Sequence, residues 1–379
     1  MTVRAALGSW APRRASAVRF DPLGPDNVVR YPAAINADRT EMVSYQSVTF
    51  ARTTDDATTW TVIRTFAQPV RAVRYLSNGE LIVSTRSTDN LQPHELWLSS
   101  GWPTNPTTAT WTKVMTGQTA GNGPSNGWSW AVEGSLVACA DYGLKAGTNN
   151  ARHAYLSEDN GQTWRVIYDL GTAVGNHLHG IVIDPYWTPD GNPRIWITYG
   201  DDTSGIVYSD DLGATWTTAQ AATGVNDPYQ VVGGIALPDC ILFGTDGSPN
   251  GVVRIPRSQG KSPAGGTYTL ETAFAFNDAT TITHLCHSIY QAPYANAPVV
   301  FGYGPETVEG TSRVVVSYDG ADFRQEWADP KTTPAGRGVQ VALGPTADGN
   351  LVLNANDARY GTGMTRWRGP LRLSYEVQA

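Results

Sequence analysis

Residues Ser157 to Trp164 read SEDNGQTW, and Ser209 to Trp216, 52 positions further on, read SDDLGATW. Both fit Ser-x-Asp-x-Gly-x-Thr-Trp, and a pattern recurring at fixed spacing marks a fold made of repeated units. The residue types spell a hairpin turn. Ser and Asp side chains accept hydrogen bonds from the turn's own N–H groups, and Gly takes the left-handed conformation. Thr and Trp then open the next strand, with the indole set against a neighbouring sheet.

Three degraded copies extend the pattern. Thr53 to Trp60 keeps the Asp, Thr and Trp but has Ala57 where Gly belongs, and Ser317 to Phe323 is one residue short and ends in Phe. Ser99-Ser100-Gly101 and Ala109-Thr110-Trp111 form a copy split by a Pro-containing insertion and lacking the Asp.

What precedes each turn recurs too. An apolar strand, a turn often carrying Asp-Gly or Asn-Gly, and a second apolar strand appear as RAVRYLSNGELIVST (71–85), HGIVIDPYWTPDGNPRIWITYGD (179–201) and VQVALGPTADGNLVLNAND (339–357). Seven such units begin near residues 28, 71, 128, 177, 230, 283 and 337. Units of about 40 to 55 residues with four short antiparallel strands predict an all-β chain folded as a β-propeller. Seven blades are expected, with six as the alternative. Residues 28–379 form a single propeller on this reading, and residues 1–27 an N-terminal arm or a segment that closes the ring. Leu371 to Val377 reads as a closing strand.

Composition agrees with many short strands. The 379 residues include 39 Gly and 24 Pro for turns, and 13 Trp and 17 Tyr for a large core. A net charge of −7 argues against a phosphate-binding surface, so nucleic acid is not an expected partner. Lys113, Lys145, Lys261 and Lys331 are the only lysines among 27 basic residues, a skew that reflects a GC-rich coding sequence. Cys139, Cys240 and Cys286 sit in apolar runs and read as buried free thiols rather than a disulfide framework. The first twenty residues have no apolar core of signal-peptide length, and no run reaches the length of a membrane span, so membrane insertion is not expected.

On these residues the chain resembles the Asp-box (BNR-repeat) β-propellers, a group that includes sialidases and other sugar-handling propellers. The resemblance implies that each box joins the third and fourth strands of a blade at its periphery. Ser157, Asp159, Gly161, Trp164, Ser209, Asp211, Gly213 and Trp216 are then structural, and the box speaks to fold rather than function. It also implies that ligands bind where the loops entering the innermost strands and leaving the second strands converge at the channel mouth.

The residues entering the inner strands are Arg71 and Arg74, Trp128 and Trp130, His177 and His179, Tyr229 and Gln230, His284 and His287, and Arg337 and Gln340. The second strands leave through Asp141, Asp201 and Asp202, Asp246, Glu306 and Asp357. Positions two apart on a strand share a face, so His177 should align with His179 and Trp128 with Trp130, whereas His284 and His287 should not align. Arg, His, Trp and Asp together suit sugars: aromatic faces stack on the ring and charged groups bond to hydroxyls or carboxylates. The bland readings are packing for the Trp pair and ion pairing for Arg71 and Arg337. His177 and His179 also read as half of a metal site whose third ligand comes from another blade. No cofactor is expected beyond such a structural or channel ion.

Sialidases add an arginine triad, a Tyr nucleophile paired with Glu and an Asp acid, with an Arg-Ile-Pro motif in an early inner strand. Arg30-Tyr31-Pro32 resembles that motif; Arg337 is a candidate second arginine and Tyr360 a candidate nucleophile. The literal Arg254-Ile255-Pro256 aligns instead with the third strand of its blade.

Two functional readings follow. The first is a recognition propeller on a virion, a phage tail or baseplate protein that binds host-surface glycan or polysaccharide at the channel mouth. It would dock on neighbouring virion proteins, with homo-oligomerisation left open. The second is a sialidase-like exo-glycoside hydrolase acting on an acidic or neutral glycan.

Overall fold

The computed structural model describes residues 21–22, 31–55, 57–87, 92–125, 127–143, 151–171, 177–187, 191–201, 203–223, 230–247, 250–263, 266–276, 284–291, 297–305, 311–328, 339–356 and 364–370. At 21–22, 222–223, 284, 340–341, 355–356 and 364–370 only the backbone is described.

Four-stranded antiparallel sheets follow one another along the chain, seven among the described residues. Their innermost strands are Tyr31–Ile35, Val70–Tyr75, Trp130–Glu133, His177–Asp184, Val231–Ala236, His284–Gln291 and Val339–Leu343, here numbered blades 1 to 7. Blades 1 to 6 each take four consecutive strands. Blade 7 takes three, the last being Met364–Pro370, and its outermost strand, Asp21–Pro22, comes from near the start of the chain. There Asp21 pairs with Arg368 and Pro22 with Trp367, so one sheet joins the two ends of the propeller. Leu371 to Val377 lies outside the described residues.

The core lies between blades. Among the described residues seven clusters of buried side chains fill the seven interfaces between successive sheets. Leu156 and Ile167 of blade 3 pack on Ile181, Ile195 and Val207 of blade 4. Ile35 and Met42 of blade 1 meet Leu343 and Val352 of blade 7, which closes the ring. Each such side chain contributes about 1.5–3 kcal/mol on burial. A second strand is covered on both faces by adjacent blades, so Leu81–Thr85, Cys240–Thr245 and Val299–Pro305 are buried at every position. That is why they read as continuous apolar runs rather than alternating ones. The fourth strands face solvent, and Thr61–Thr65 is partly or fully exposed throughout. All three cysteines are buried free thiols.

The repeated turns join third to fourth strands. In the first, between His153–Ser157 and Arg165–Asp169, the Ser157 hydroxyl accepts from the Gly161 N–H (2.8 Å) and donates to Asp159 (2.8 Å). The Asp159 carboxylate accepts from the Gln162 and Thr163 N–H groups (3.0 and 2.8 Å) and from the Thr163 hydroxyl (2.6 Å). The second turn repeats this around Asp211, with Thr215 donating at 2.8 and 2.6 Å. The indoles wedge between blades as expected. Trp216 of blade 4 donates to the Ile167 carbonyl of blade 3 at 2.8 Å, and Trp164 packs among blade 2 and blade 3 side chains.

The degraded copies keep the bonding by substitution. Ala57 adopts φ +64° in the Gly position. In the split copy the missing Asp is replaced from a different turn: Glu80 accepts from the Ser99 hydroxyl (2.5 Å) and the Gly101 N–H (2.8 Å).

The two turn glycines differ in their surroundings. Gly161 has φ +83° and a Cβ there would meet nothing closer than 3.5 Å, whereas at Gly213, φ +89°, it would lie 2.6 Å from Ile167 Cβ. Gly161→Ala should cost about 1–2 kcal/mol from the backbone alone, and Gly213→Ala clearly more, because blade 3 must also move. Equal losses in chemical unfolding would contradict this account.

The turns also set an acid limit. Hydrogen bonds from the Thr215 hydroxyl and N–H, then from the Ser209 hydroxyl, hold the Asp211 carboxyl at about 2, against 3.8 for the free side chain. As pH falls the unfolded chain therefore takes up its proton first. The stabilisation is complete above about pH 4 and lost as pH drops to about 2. Asp211→Asn should lower stability at neutral pH and flatten its decline between pH 4 and 2, as measured by urea midpoints across that range.

Candidate functional site

The inner strands begin, and the second strands end, on one face of the ring. At blades 1 and 2 this face opens into a cavity of about 480 Å³ lined by Tyr31, Tyr45, Gln46, Arg71, Arg74, Arg86, Ser125, Ser288 and Tyr290, among others. Arg71 sits at the start of the blade 2 inner strand and Arg86 just after its second strand, Leu81–Thr85. The Tyr45 hydroxyl donates to the Arg71 carbonyl at 2.6 Å and stacks on Tyr31 with centroids 5.4 Å apart. The Nε atoms of Arg71 and Arg86 are buried without a hydrogen-bond partner. Burial, and then the neighbouring positive charge of Arg71, push the Arg86 guanidinium down to about 10. Three arginines, Arg71, Arg74 and Arg86, thus line one cavity, and none of its described lining residues carries a carboxylate.

Arg74 spans the channel floor. It donates to the carbonyls of Val73 (2.9 Å), Ala33 (3.3 Å) and Gly127 (2.5 Å), tying blade 2 to blade 1 and to the entry of blade 3. It also lines a second cavity of about 440 Å³, reached from the opposite end of the inner strands beside Trp130, Ile183 and Gln291.

On the same face, blade 4 gathers His177, His179 and Asp201. The imidazoles lie with centroids 5.0 Å apart, aligned as expected despite a register shift between Leu178 and Gly180. His177 Nδ1 is 3.0 Å from the Gly143 carbonyl and His179 Nδ1 2.9 Å from the Val231 carbonyl. Their Nε2 atoms turn to Asp201, at 3.5 and 4.0 Å. Asp201 has φ +103°, a conformation that costs a non-glycine residue about 1–3 kcal/mol and persists only where the surroundings enforce it. Gly200 makes the room, since a Cβ there would lie 2.5 Å from His179 Cε1. The third member of this cluster comes from the end of the same blade's second strand, not from another blade. Tyr142 packs on both rings (4.7 and 6.3 Å), and its carbonyl accepts from Arg86 at 3.0 Å, so the cluster adjoins the arginine cavity.

Other expected residues are placed differently. Trp128 falls in a short 3-10 turn, Gly127–Ser129, ahead of the strand that starts at Trp130. The strand alternation therefore does not relate the two, and they enter separate buried clusters. Asp141 is fully buried rather than on the rim. It lies 3.5 Å from His94 of blade 2 and 3.7 Å from His153, with Tyr155 and Thr119 each donating at 3.4 Å. Burial lowers the pKa of His94, which occupies space left by Gly117 and Gly123. Asp246 stays at the rim, 3.4 Å from the Gln230 amide. Arg254 lies in a third strand, Gly251–Pro256, and pairs with Glu271 at 3.2 Å. His284 opens the blade 6 inner strand, its backbone opposite Pro305. Arg30, Tyr229, Arg337, Asp357 and Tyr360 lie outside the described residues.

Arg86, Tyr45 and Tyr142 are not among the sequence candidates, and Tyr31 enters there only within the Arg30-Tyr31-Pro32 motif. Arg86 occupies the register that yields Asp141 and Asp201, one residue after its second strand, so its position at the mouth is legible from strand spacing.

No protein-family model and no curated protein matches the sequence. Among solved structures, the chain is similar to a GH74 xyloglucanase from Xanthomonas campestris, with TM-score 0.57 and 15% identity, covering 92% of this chain and 53% of that one. It is also similar to a GH74 enzyme from Niastella koreensis, with TM-score 0.54 and 16% identity over 91% and 53%. Against YCF48 from Cyanidioschyzon merolae the TM-score is 0.53, with 12% identity over 94% and 99%. The chain spans about half the length of the two GH74 proteins. At these identities the likeness establishes the fold, an all-β propeller of four-stranded antiparallel blades.

Proposed function

We propose that this propeller recognises an acidic glycan in the cavity at blades 1 and 2. The observation that carries the reading is the pairing of Arg71 with Arg86 in a cavity whose described lining residues hold no carboxylate. A bound carboxylate or sulfate would relieve their repulsion and satisfy both Nε–H groups through charge-assisted hydrogen bonds. The stacked Tyr31 and Tyr45 supply an aromatic surface of the kind that packs on sugar rings. Two propellers of like fold are named as GH74 enzymes, one of them a xyloglucanase, which supports a carbohydrate as the ligand class.

Binding is preferred to hydrolysis because even a sialidase-like site pairs its Tyr nucleophile with Glu and needs an Asp acid, and the described lining supplies arginines and tyrosines but no carboxyl group. The setting we attach to it, a virion tail contacting a host surface, rests on the coding skew towards Arg and on an N-terminal segment, Trp10 to Arg19, suited to docking. Labelling purified particles with an antibody to this chain tests that part.

A glycan array followed by calorimetry should show saturable binding to uronate- or sialate-containing oligosaccharides and none to their neutral counterparts. Arg71→Ala and Arg86→Ala should each weaken it by roughly tenfold to a hundredfold, the worth of one hydrogen bond to a charged group, with thermal stability retained. Preference for neutral sugars would overturn the assignment. Turnover of a fluorogenic glycoside panel, abolished by Arg30→Ala, would favour the hydrolase reading instead.

A further inference from the structure

We propose that His177, His179 and Asp201 form a three-ligand site for a divalent first-row transition ion such as zinc. The inference begins with the protons. A backbone carbonyl only accepts, so the contacts of His177 Nδ1 with Gly143 O (3.0 Å) and of His179 Nδ1 with Val231 O (2.9 Å) require Nδ1–H on both rings. In the neutral tautomer each Nε2 then carries its lone pair, and both Nε2 atoms face the Asp201 carboxylate at 3.5 and 4.0 Å. Three electron-rich donors turned towards one another form a set that a cation placed between them would hold together. Holding a metal-binding imidazole through its other nitrogen is also the usual way a protein fixes tautomer and ring direction.

The spacing suits an ion of this class. Ligand bonds of about 2.0–2.1 Å in tetrahedral geometry set donor atoms about 3.4 Å apart. Here one oxygen or nitrogen from each residue falls within 4.8 Å of the others, so the donors must close in by up to about 1.4 Å on binding. Two imidazoles and one carboxylate favour zinc, iron, cobalt or nickel over calcium and magnesium, which prefer all-oxygen ligation. Both histidines are buried, and the strained backbone at Asp201 brings its carboxylate under them. An ion here would clamp the start of the blade 4 inner strand to the end of its second strand. With three protein ligands it would keep at least one position for water or a ligand oxygen.

The competing occupant is a proton on each imidazole, giving two adjacent imidazolium ions against Asp201. Cobalt(II) titration of chelator-treated protein separates the two. The expected result is one equivalent bound with the intense visible bands of a tetrahedral site, displaced by zinc. His179→Ala and Asp201→Asn should weaken binding by at least about 10–100-fold, the loss reported for weaker second-shell changes. Nitrogen-15 spectra of the wild type provide the measurement that does not depend on a variant folding. Both rings should show Nδ1–H with bare Nε2, and both Nε2 signals should shift on zinc addition. Absence of stoichiometric cobalt binding, or Nε2 signals that zinc leaves unmoved, would overturn the proposal.

Discussion

Arg194→Ala is expected to lower the unfolding free energy by about 2–5 kcal/mol, the range for truncating a fully buried long side chain to alanine. It should appear as a fall in urea midpoint with an unchanged m-value. Arg194 is fully buried in blade 4. Its guanidinium donates to Asp210 through Nε (2.6 Å) and Nη2 (2.9 Å), to the Tyr268 hydroxyl (2.6 Å) and to the Lys261 carbonyl (2.9 Å). Tyr208, Trp187 and Trp196 surround it, with ring centroids 3.9, 4.9 and 5.2 Å from Cζ. Alanine removes all of these bonds and leaves a cavity among four aromatic rings. Lysine keeps the charge but lacks the planar fork that fits Asp210 and the rings together, so Arg194→Lys should recover only part of the loss. Arg194→Met should also fall short of alanine's cost, since it refills the cavity and Asp210, about a third exposed, can hydrate. A stability change below about 1 kcal/mol for alanine would show that the cage supports itself without the ion.

Asp184→Ala should cost about 3–5 kcal/mol, the range for breaking a buried ion pair by removing one partner. Asp184 is fully buried at the end of the blade 4 inner strand and accepts two bonds of 2.9 Å from Arg257, which follows the third strand of blade 5. It also accepts from Trp196 Nε1 at 3.2 Å. Removing it leaves the charge of a guanidinium that is 15% exposed without its counter-ion, held only by the Leu237 and Cys240 carbonyls, and takes the acceptor from an indole N–H inside the interface. The two sites share their aromatic partners. Trp187 lies 4.9 Å from the Cζ of both Arg194 and Arg257, and Trp196 touches both networks. The double variant should therefore depart from additivity by about 0.5–3 kcal/mol. Strict additivity would mean that the two networks act separately. Because the same strand carries His177 and His179 at its other end, the Asp184 variant should also loosen the geometry at the channel mouth.

The repeated turn was legible because its bonds close within eight residues. Ser157 and Asp159 satisfy the backbone of Gly161, Gln162 and Thr163 whatever the rest of the chain does. The seven unit starts read from the sequence fall within three residues of the observed inner strands, from Tyr31 to Val339. Arg254 was placed correctly in a third strand by alignment alone. The His177 and His179 alignment was legible through strand periodicity.

What the sequence did not show were contacts between separate turns or blades, and a break in regular strand geometry. Nothing near Ser99 signals that Glu80 will supply its carboxylate. Asp141 shares the register of Asp201, yet His94 arrives from blade 2 and buries it, while Asp201 keeps partial access to solvent. Trp128 and Trp130 were separated by a 3-10 turn that strand alternation does not anticipate.

The sequence by itself determined the hairpins, the strand order of blades 1 to 6 and the apolar second strands, because these follow from bonds and burial within a single unit. Only the tertiary structure decided which polar side chains meet. Arg71 beside Arg86, Trp187 between two guanidinium groups, and Asp141 enclosed by two histidines all depend on how successive sheets are turned about the channel. That rotation is set by the summed packing of the seven interfaces, a property no local stretch of chain contains.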